Sequence, residues 1–229
     1  MTKWILITGS SRGLGKELAI VFAERGYNII IHGRESEDLK IVRDEIFNRG
    51  VDCEVVGGDL ILDETIEKLV EISIRKNIFI LINNAAMGLI KPFDELNERE
   101  IKNNLEVNLF APISLTKKIY DYFAKRKSGI IININGMGGL KPSRNQSIYC
   151  STKYGLRGFT DALRYEAKEN GVRVIGVHLS GMKTDMYTLT GADATNCMEP
   201  SEVAEVVYDL SKSKESLMVD EILISRMKY

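Results

Sequence analysis

Tyr149 and Lys153 stand one helical turn apart in Tyr149-Cys150-Ser151-Thr152-Lys153, so a helix starting there carries both on one face. An ammonium beside a phenol favours the phenolate and draws its pKa toward working pH, which makes the phenol a usable proton donor or acceptor. Tyr and Lys also meet this spacing by chance on many helices. Asn108, in Val107-Asn108-Leu109, is an amide among apolar neighbours that needs a partner if buried. It reads either as a helix-surface residue or as an element of the same site.

A different chemistry sits near the start of the chain. The apolar run Ile5-Leu6-Ile7 stops at Thr8-Gly9-Ser10-Ser11-Arg12-Gly13-Leu14-Gly15, after which Leu14, Leu18, Val21 and Phe22 recur at helical spacing. Glycines adopt positive φ and let backbone N–H groups approach a ligand, and the positive end of the following helix points at the same place. The stretch reads as a phosphate-binding turn. It is not a P-loop: Glu17 stands where Ser or Thr is required after Lys16, and residue 10 is Ser rather than Gly.

The next apolar run ends in His32-Gly33-Arg34. In a dinucleotide fold an acid at this point binds the adenosine ribose hydroxyl, whereas an arginine accommodates a 2′-phosphate. Gly33 stands in place of the acid, and Arg34 with Arg12 predicts NADP(H). Glu35 lies close by, and an ordinary surface arginine is the alternative. Asp59, past the third strand, is placed to accept from an adenine amino group, or to cap the following helix. Asn83-Asn84-Ala85-Ala86 follows the fourth.

These residues need elements to hold them. Apolar runs at 4–7, 28–31, 51–56, 78–82, 129–134, 172–179 and 221–224 alternate with helical patterns, one of them a long amphipathic stretch over 98–123. Alternation of this kind predicts an α/β fold of the Rossmann type: a doubly wound, mostly parallel, seven-stranded sheet with helices on both faces, as one domain over 1–229. Ligands bind beyond the carboxyl ends of such strands, where the loops named above converge.

The net charge is −1 over 229 residues, so nothing calls for nucleic acid or an anionic membrane as partner. Cys53, Cys150 and Cys197 have no metal-type spacing and suit a reducing cytoplasm. His32 and His178 are lone histidines, read as structural, and no metal is assigned. The first apolar run is too short for a signal peptide or a membrane span.

Thr8-Gly9-x-x-x-Gly13-x-Gly15, Asn83-Asn84-Ala85, Asn108 and Tyr149-x-x-x-Lys153, in that order, resemble the short-chain dehydrogenase/reductase family over nearly the whole chain. The resemblance implies that Tyr149 protonates a carbonyl oxygen as hydride arrives from the nicotinamide. Lys153 would hold the nicotinamide ribose and depress the Tyr149 pKa, and Asn108 would help hold a water in the proton path. Gly9, Ser11, Arg12, Gly13, Leu14, Gly15, Arg34, Asp59, Asn84, Ala85 and Thr184 would line the cofactor, with Asn83 supporting the sheet. It further implies a small-molecule carbonyl or alcohol substrate and a homodimer or homotetramer built through the helices that carry Asn108 and Tyr149.

The chain departs from the family in three places. The usual substrate-orienting serine is Gly136, and neither Ser143 nor Ser147 is an obvious substitute, which leaves Asn135 as the nearest polar group. Asn-Asn-Ala-Gly reads Asn-Asn-Ala-Ala. The usual Pro-Gly after the sixth strand is Ser180-Gly181, so Ser180 is a candidate hydroxyl from the opposite wall. Residues 182–198 read as a lid, with Met137, Met182, Met186, Tyr187 and Leu189 as the lining of an adaptable apolar pocket or as simple packing. Lys91, Lys141, Arg144 and Lys183 hint at an anionic tail, or are plain surface charges. Two functions follow: an NADPH-dependent carbonyl reductase, or an NADP(H)-binding regulatory or scaffold protein that no longer catalyses because Gly136 lacks the hydroxyl.

Overall fold

Runs such as Trp4-Ile5-Leu6-Ile7 become central strands because both faces of each can be buried by a helical layer. The computed structural model describes residues 3–34, 36–188, 194–212 and 217–227; Glu35 and Leu189 lie outside them, as do residues 190–193 of the proposed lid. The strands are β1 (Trp4–Ile7), β2 (Asn28–Gly33), β3 (Cys53–Gly57), β4 (Ile78–Asn83), β5 (Gly129–Gly136), β6 (Val172–Leu179) and β7 (Glu221–Ile224). All neighbours pair in parallel, in the order β3-β2-β1-β4-β5-β6-β7. The order reverses between β1 and β4, which opens a crevice at their carboxyl ends.

Ile5, Ile7, Ile29, Ile31, Ile80 and Ile82 face one layer, α1 (Gly13–Glu24), α2 (Ser36–Phe47) and α8 (Pro200–Ser211). Leu6, Ile30, Leu81 and Ile131 face the other, where α3 (Asp63–Arg75), α5 (Ala111–Lys125) and α6 (Ser147–Glu169) lie. The predicted sheet and its two-sided cover are observed. No helix among the described residues is long and apolar enough to cross a membrane.

Four strands run further than their apolar residues indicate. β2 continues to Gly33 and β3, which begins at Cys53 rather than 51, to Gly57, with which Gly33 pairs; β4 reaches Asn83, and β5 continues to Gly136, paired with Leu179. Backbone pairing with a neighbour carries them on where hydrophobicity gives no signal. The stretch predicted as one helix over 98–123 is α4 (Glu98–Leu105), a π-helical turn (Glu106–Phe110) and then α5. Pro112 lacks the N–H that the Asn108 carbonyl would otherwise receive, and Ala111 donates instead to Glu106, five residues back. α4 starts from a capping box in which Asn97 and Glu100 exchange hydrogen bonds. The remaining α-helix is α7 (Asp185–Thr188), in the lid region, and single 3-10 turns lie at Phe93–Glu95 and Met137–Gly139.

Candidate active site

The glycine turn is shaped by contacts that leave no room for side chains. Gly9 has φ +66° and lies against Ala85, so a β-carbon on it would sit 2.8 Å from Ala85 Cα. A β-carbon on Gly15 would collide with the Gly9 carbonyl oxygen. Thr8 Oγ1 accepts from the Asn84 and Ala85 N–H groups at 3.0 and 3.1 Å, and Asn84 Nδ2 donates to the Thr8 and Gly9 carbonyls at 2.9 and 3.0 Å. The segment after β4 thus braces the turn after β1.

Gly33 at the end of β2 faces Ser11, whose Cβ is 3.1 Å from where a β-carbon would lie, and exposed Arg34 follows. Gly13, with φ +54°, lies against the Thr184 methyl group. Arg12 pairs with Asp185 at 3.4 Å, both more than half exposed. At the start of α1 no side chain caps the first turn and no acidic residue lies in it. Leu14 and Gly15 therefore present orphan N–H groups at the positive end of a helix beside a tight glycine turn, an arrangement that suits a dinucleotide pyrophosphate.

At the carboxyl end of β5, Gly136, Gly138 and Gly139 form a floor. A β-carbon on Gly136 would lie 3.0 Å from the Tyr149 hydroxyl, and one on Gly138 would lie 3.0 Å from Tyr149 Cε1. One on Gly139 would meet Asn135 Nδ2 and the Lys153 carbonyl at 2.8 Å. The glycines let α6 approach the strand end and lay the phenol ring across it.

Lys153 is only 3% exposed, and its Nζ donates to the Ile134 carbonyl at 3.3 Å, 5.9 Å from the centre of the Tyr149 ring. The expected lowering of the phenol pKa is not observed. Burial, and then the Cys150 thiol, push Tyr149 up to about 12, while burial pushes Lys153 down to about 8. The lysine sits in the expected place, but its ammonium is turned to a backbone carbonyl and is itself disfavoured by desolvation.

Asn108 is fully buried, and its amide is committed to backbone. Its Oδ1 accepts from the Met87 N–H at 2.6 Å, and its Nδ2 donates to the Met87 carbonyl at 2.8 Å. It anchors the chain just past Asn83-Asn84-Ala85-Ala86. Asn135 is equally committed, donating to the Lys153 carbonyl at 3.0 Å and accepting from the Gly136 N–H at 3.0 Å. It ties β5 to α6 and does not replace the missing serine. The Ser180 hydroxyl accepts from the Arg226 N–H at 2.8 Å, which fastens the chain after β7, and its own O–H is turned to Met198 Sδ at 3.7 Å. Ser143 and Ser147 are exposed.

Asp59 accepts from the Ile61 N–H at 3.1 Å and so shapes the turn before α3; the cap position itself belongs to Leu62. Lys91 pairs with Glu100 at 3.1 Å and exposed Lys183 pairs with Glu199, which leaves Lys141 and Arg144 as the cations of the anionic-tail reading with no ion pair among the described residues. Met182 packs against the core and bridges to Met198, whereas Met186 is exposed and lies over Gly88.

Sequence reasoning missed two features. One is a buried polar chain from α5 to α6: Asn83 Nδ2 donates to Thr116 Oγ1 at 2.9 Å and to Asn133 Oδ1 at 2.8 Å, and Asn133 Nδ2 donates to Thr160 Oγ1 at 2.8 Å. Its signal is the isolated Asn133 within Ile130-Ile131-Ile132-Asn133-Ile134. The other is His32, whose ring touches the loops after both β1 and β3. Its place immediately before Gly33-Arg34 was the available clue.

A glycine turn at the switch point of a parallel sheet, with a phenol and an amine at the end of a nearby strand, is the layout of a dinucleotide-dependent oxidoreductase. The chain belongs to the short chain dehydrogenase family, whose model matches residues 3–194. It is 31% identical to the 3-oxoacyl-[acyl-carrier-protein] reductase FabG of Aquifex aeolicus, over 95% of this chain and 93% of that protein. It is 33% identical to a very-long-chain 3-oxoacyl-CoA reductase of Coccidioides immitis over 75% of this chain, a match that spans about half of that longer protein. A short-chain dehydrogenase from Sphingobium yanoikuyae, solved in complex with NADPH, superposes with a TM-score of 0.86 at 27% identity, covering 96% of this chain and 87% of that one.

Proposed function

We propose that this protein uses NADPH to reduce the ketone of a 3-oxoacyl thioester to the 3-hydroxy compound. The observation that carries the reading is the Tyr149 hydroxyl, laid over Gly136 at the end of β5, with Lys153 one turn further along α6. The cofactor, when bound, supplies hydride to the carbonyl carbon. Tyr149 gives its proton to the carbonyl oxygen and recovers one from solvent, so one proton is consumed per turnover. Lys153, as the ammonium, holds the ribose and stabilises the tyrosinate. Asn108 acts by positioning Met87 and the segment before it. Support for the cofactor comes from the glycine cradle with Arg12 and Arg34 at its adenosine end, and from the NADPH-bound relative. Support for the substrate comes from the names of the two relatives.

The protein works as a single domain, in the cytoplasm, as a homodimer or homotetramer. Phe110 and Tyr165, exposed on the helical layer that carries Asn108 and Tyr149, support such an assembly.

The test is NADPH oxidation with acetoacetyl-CoA as probe. Wild type turns over, and Tyr149→Phe loses a factor on the order of 10²–10⁴ in kcat while still binding NADPH. Turnover retained in Tyr149→Phe removes Tyr149 from the mechanism. The second reading, a non-catalytic NADP(H)-binding protein, is favoured by the commitment of Asn135 to backbone groups and by the Ser180 O–H being turned to Met198 Sδ. It prevails if wild type binds NADPH and turns over none of a broad carbonyl panel.

A further inference from the structure

His32 is 2% exposed at the carboxyl end of β2, and its ring spans the ends of three strands. The Gly9 N–H, in the turn after β1, points at Nδ1 at 3.3 Å. The Gly58 carbonyl, after β3, lies 3.2 Å from Nε2. These partners decide the protonation state. A backbone N–H can only donate, so Nδ1 is the acceptor; a carbonyl can only accept, so Nε2 carries the proton. The ring is neutral and held in one tautomer, and burial pushes its pKa down to about 4. The Gly58 carbonyl and then the charge of Asp59, the charged group that faces the ring, oppose that shift.

The backbone of His32 grips the same turn. Its N–H donates to Ser10 Oγ at 2.9 Å and its carbonyl accepts from the Ser10 N–H at 2.8 Å. Gly9 and Ser10 are thus held from β2 by both the ring and the main chain of one residue. Gly9 is also the glycine whose left-handed conformation and contact with Ala85 set the path of the turn.

We infer that His32 is a positioning residue for the cofactor: its neutral ring, accepting from Gly9 and donating to Gly58, holds the glycine turn in the shape that receives the dinucleotide pyrophosphate. The inference rests on the NADPH reading above. The Nδ1 contact is the one that matters for binding, because it bears on the turn itself, whereas the Nε2 contact anchors the ring from behind.

Two conservative variants separate these contacts. His32→Asn places an amide oxygen where Nδ1 lies and keeps the Gly9 contact. His32→Gln places its amide where Nε2 lies, keeps the Gly58 contact and deprives the half-buried Gly9 N–H of its acceptor. NADPH affinity is measured by fluorescence titration, with melting temperature and kcat at saturating NADPH alongside. The expected result is His32→Asn within about threefold of wild type and His32→Gln weaker by about tenfold, with kcat of both within twofold of wild type. His32→Leu, if it folds, is at least as weak as His32→Gln. Equal NADPH affinity of the Asn and Gln variants, whatever their melting temperatures, overturns the inference while the NADPH reading stands. Failure of wild type itself to bind NADPH overturns both.

Discussion

The β-carbon position of Gly136 lies 3.0 Å from the hydroxyl of Tyr149, so the phenol occupies the edge of the space that a side chain at 136 would need. Gly136 is extended, with φ −139°, and backbone conformation does not demand glycine there. The contact with Tyr149 is what an added side chain must contend with.

Gly136→Ala adds the crowding without a hydrogen bond and displaces the Tyr149 hydroxyl by a few tenths of an ångström. It is expected to lower kcat about tenfold, since misplacement of a reacting group is costly. Gly136→Ser adds the same carbon together with a donor for the developing oxyanion, worth on the order of 10²–10³ in rate where it is well aimed. The serine variant is therefore expected to exceed the alanine variant in steady-state NADPH oxidation. A serine variant no faster than the alanine one would mean that the hydroxyl does not reach the substrate.

The pH dependence of the free enzyme should come from Lys153 and not from Tyr149. The phenol stays protonated up to about 12, whereas the buried amine loses its proton near 8. The expected kcat/KM for NADPH falls above about pH 8, and Lys153→Met abolishes that limb.

The same shifts make a stability prediction. The native lysine pKa, about 8, is below the ordinary value of 10.5, so between these values the unfolded chain binds more protons and stability rises with pH. The rise through Lys153 alone amounts to about 3 kcal/mol; Tyr149, raised from 10 to about 12, opposes it above pH 10. Lys153→Met should melt above wild type at pH 7, with the gap narrowing toward pH 10 in calorimetry.

Asn133 joins Asn83 and Thr160 in the buried polar chain, with both of its bonds at 2.8 Å. Asn133→Leu leaves one Asn83 N–H without its acceptor in a fully buried layer, while the Thr160 hydroxyl keeps its bond to the Leu156 carbonyl and loses only the donor to its oxygen. The expected loss is about 2–4 kcal/mol in urea unfolding. A loss below about 0.5 kcal/mol would show that the chain of amides is replaceable by apolar packing.

Arg34 is exposed beside the end of β2, while Arg12 shares its charge with Asp185. Arg34→Ala is expected to reduce the preference for NADPH over NADH by about tenfold or more, as a charge-assisted contact to the 2′-phosphate is lost. Asp185→Asn removes only an exposed pair and should alter NADPH affinity by less than about threefold. Competition titrations with the two cofactors measure both.

The alternation of apolar runs with amphipathic segments was enough to place a mostly parallel seven-stranded sheet between two helical layers, because burial on both faces of the central strands leaves a pattern in composition. The turn at Gly9, Gly13 and Gly15 was legible for a related reason: positive φ and close backbone approach admit little besides glycine. Tyr149 and Lys153 were legible as a pair because helix geometry relates them locally.

Only the tertiary structure decided what those groups experience. The Tyr149 and Lys153 pKa values follow first from burial against the end of β5, which no spacing encodes. The roles of Asn135, Ser180 and Asn108 were decided by backbone groups on other elements that claim their polar atoms. His32 looked like an ordinary buried histidine until β1 and β3 were brought to either side of β2. Spacing along the chain determines which residues share a face, but desolvation and hydrogen-bond partners come from packing between distant segments, and these set the chemistry of the site.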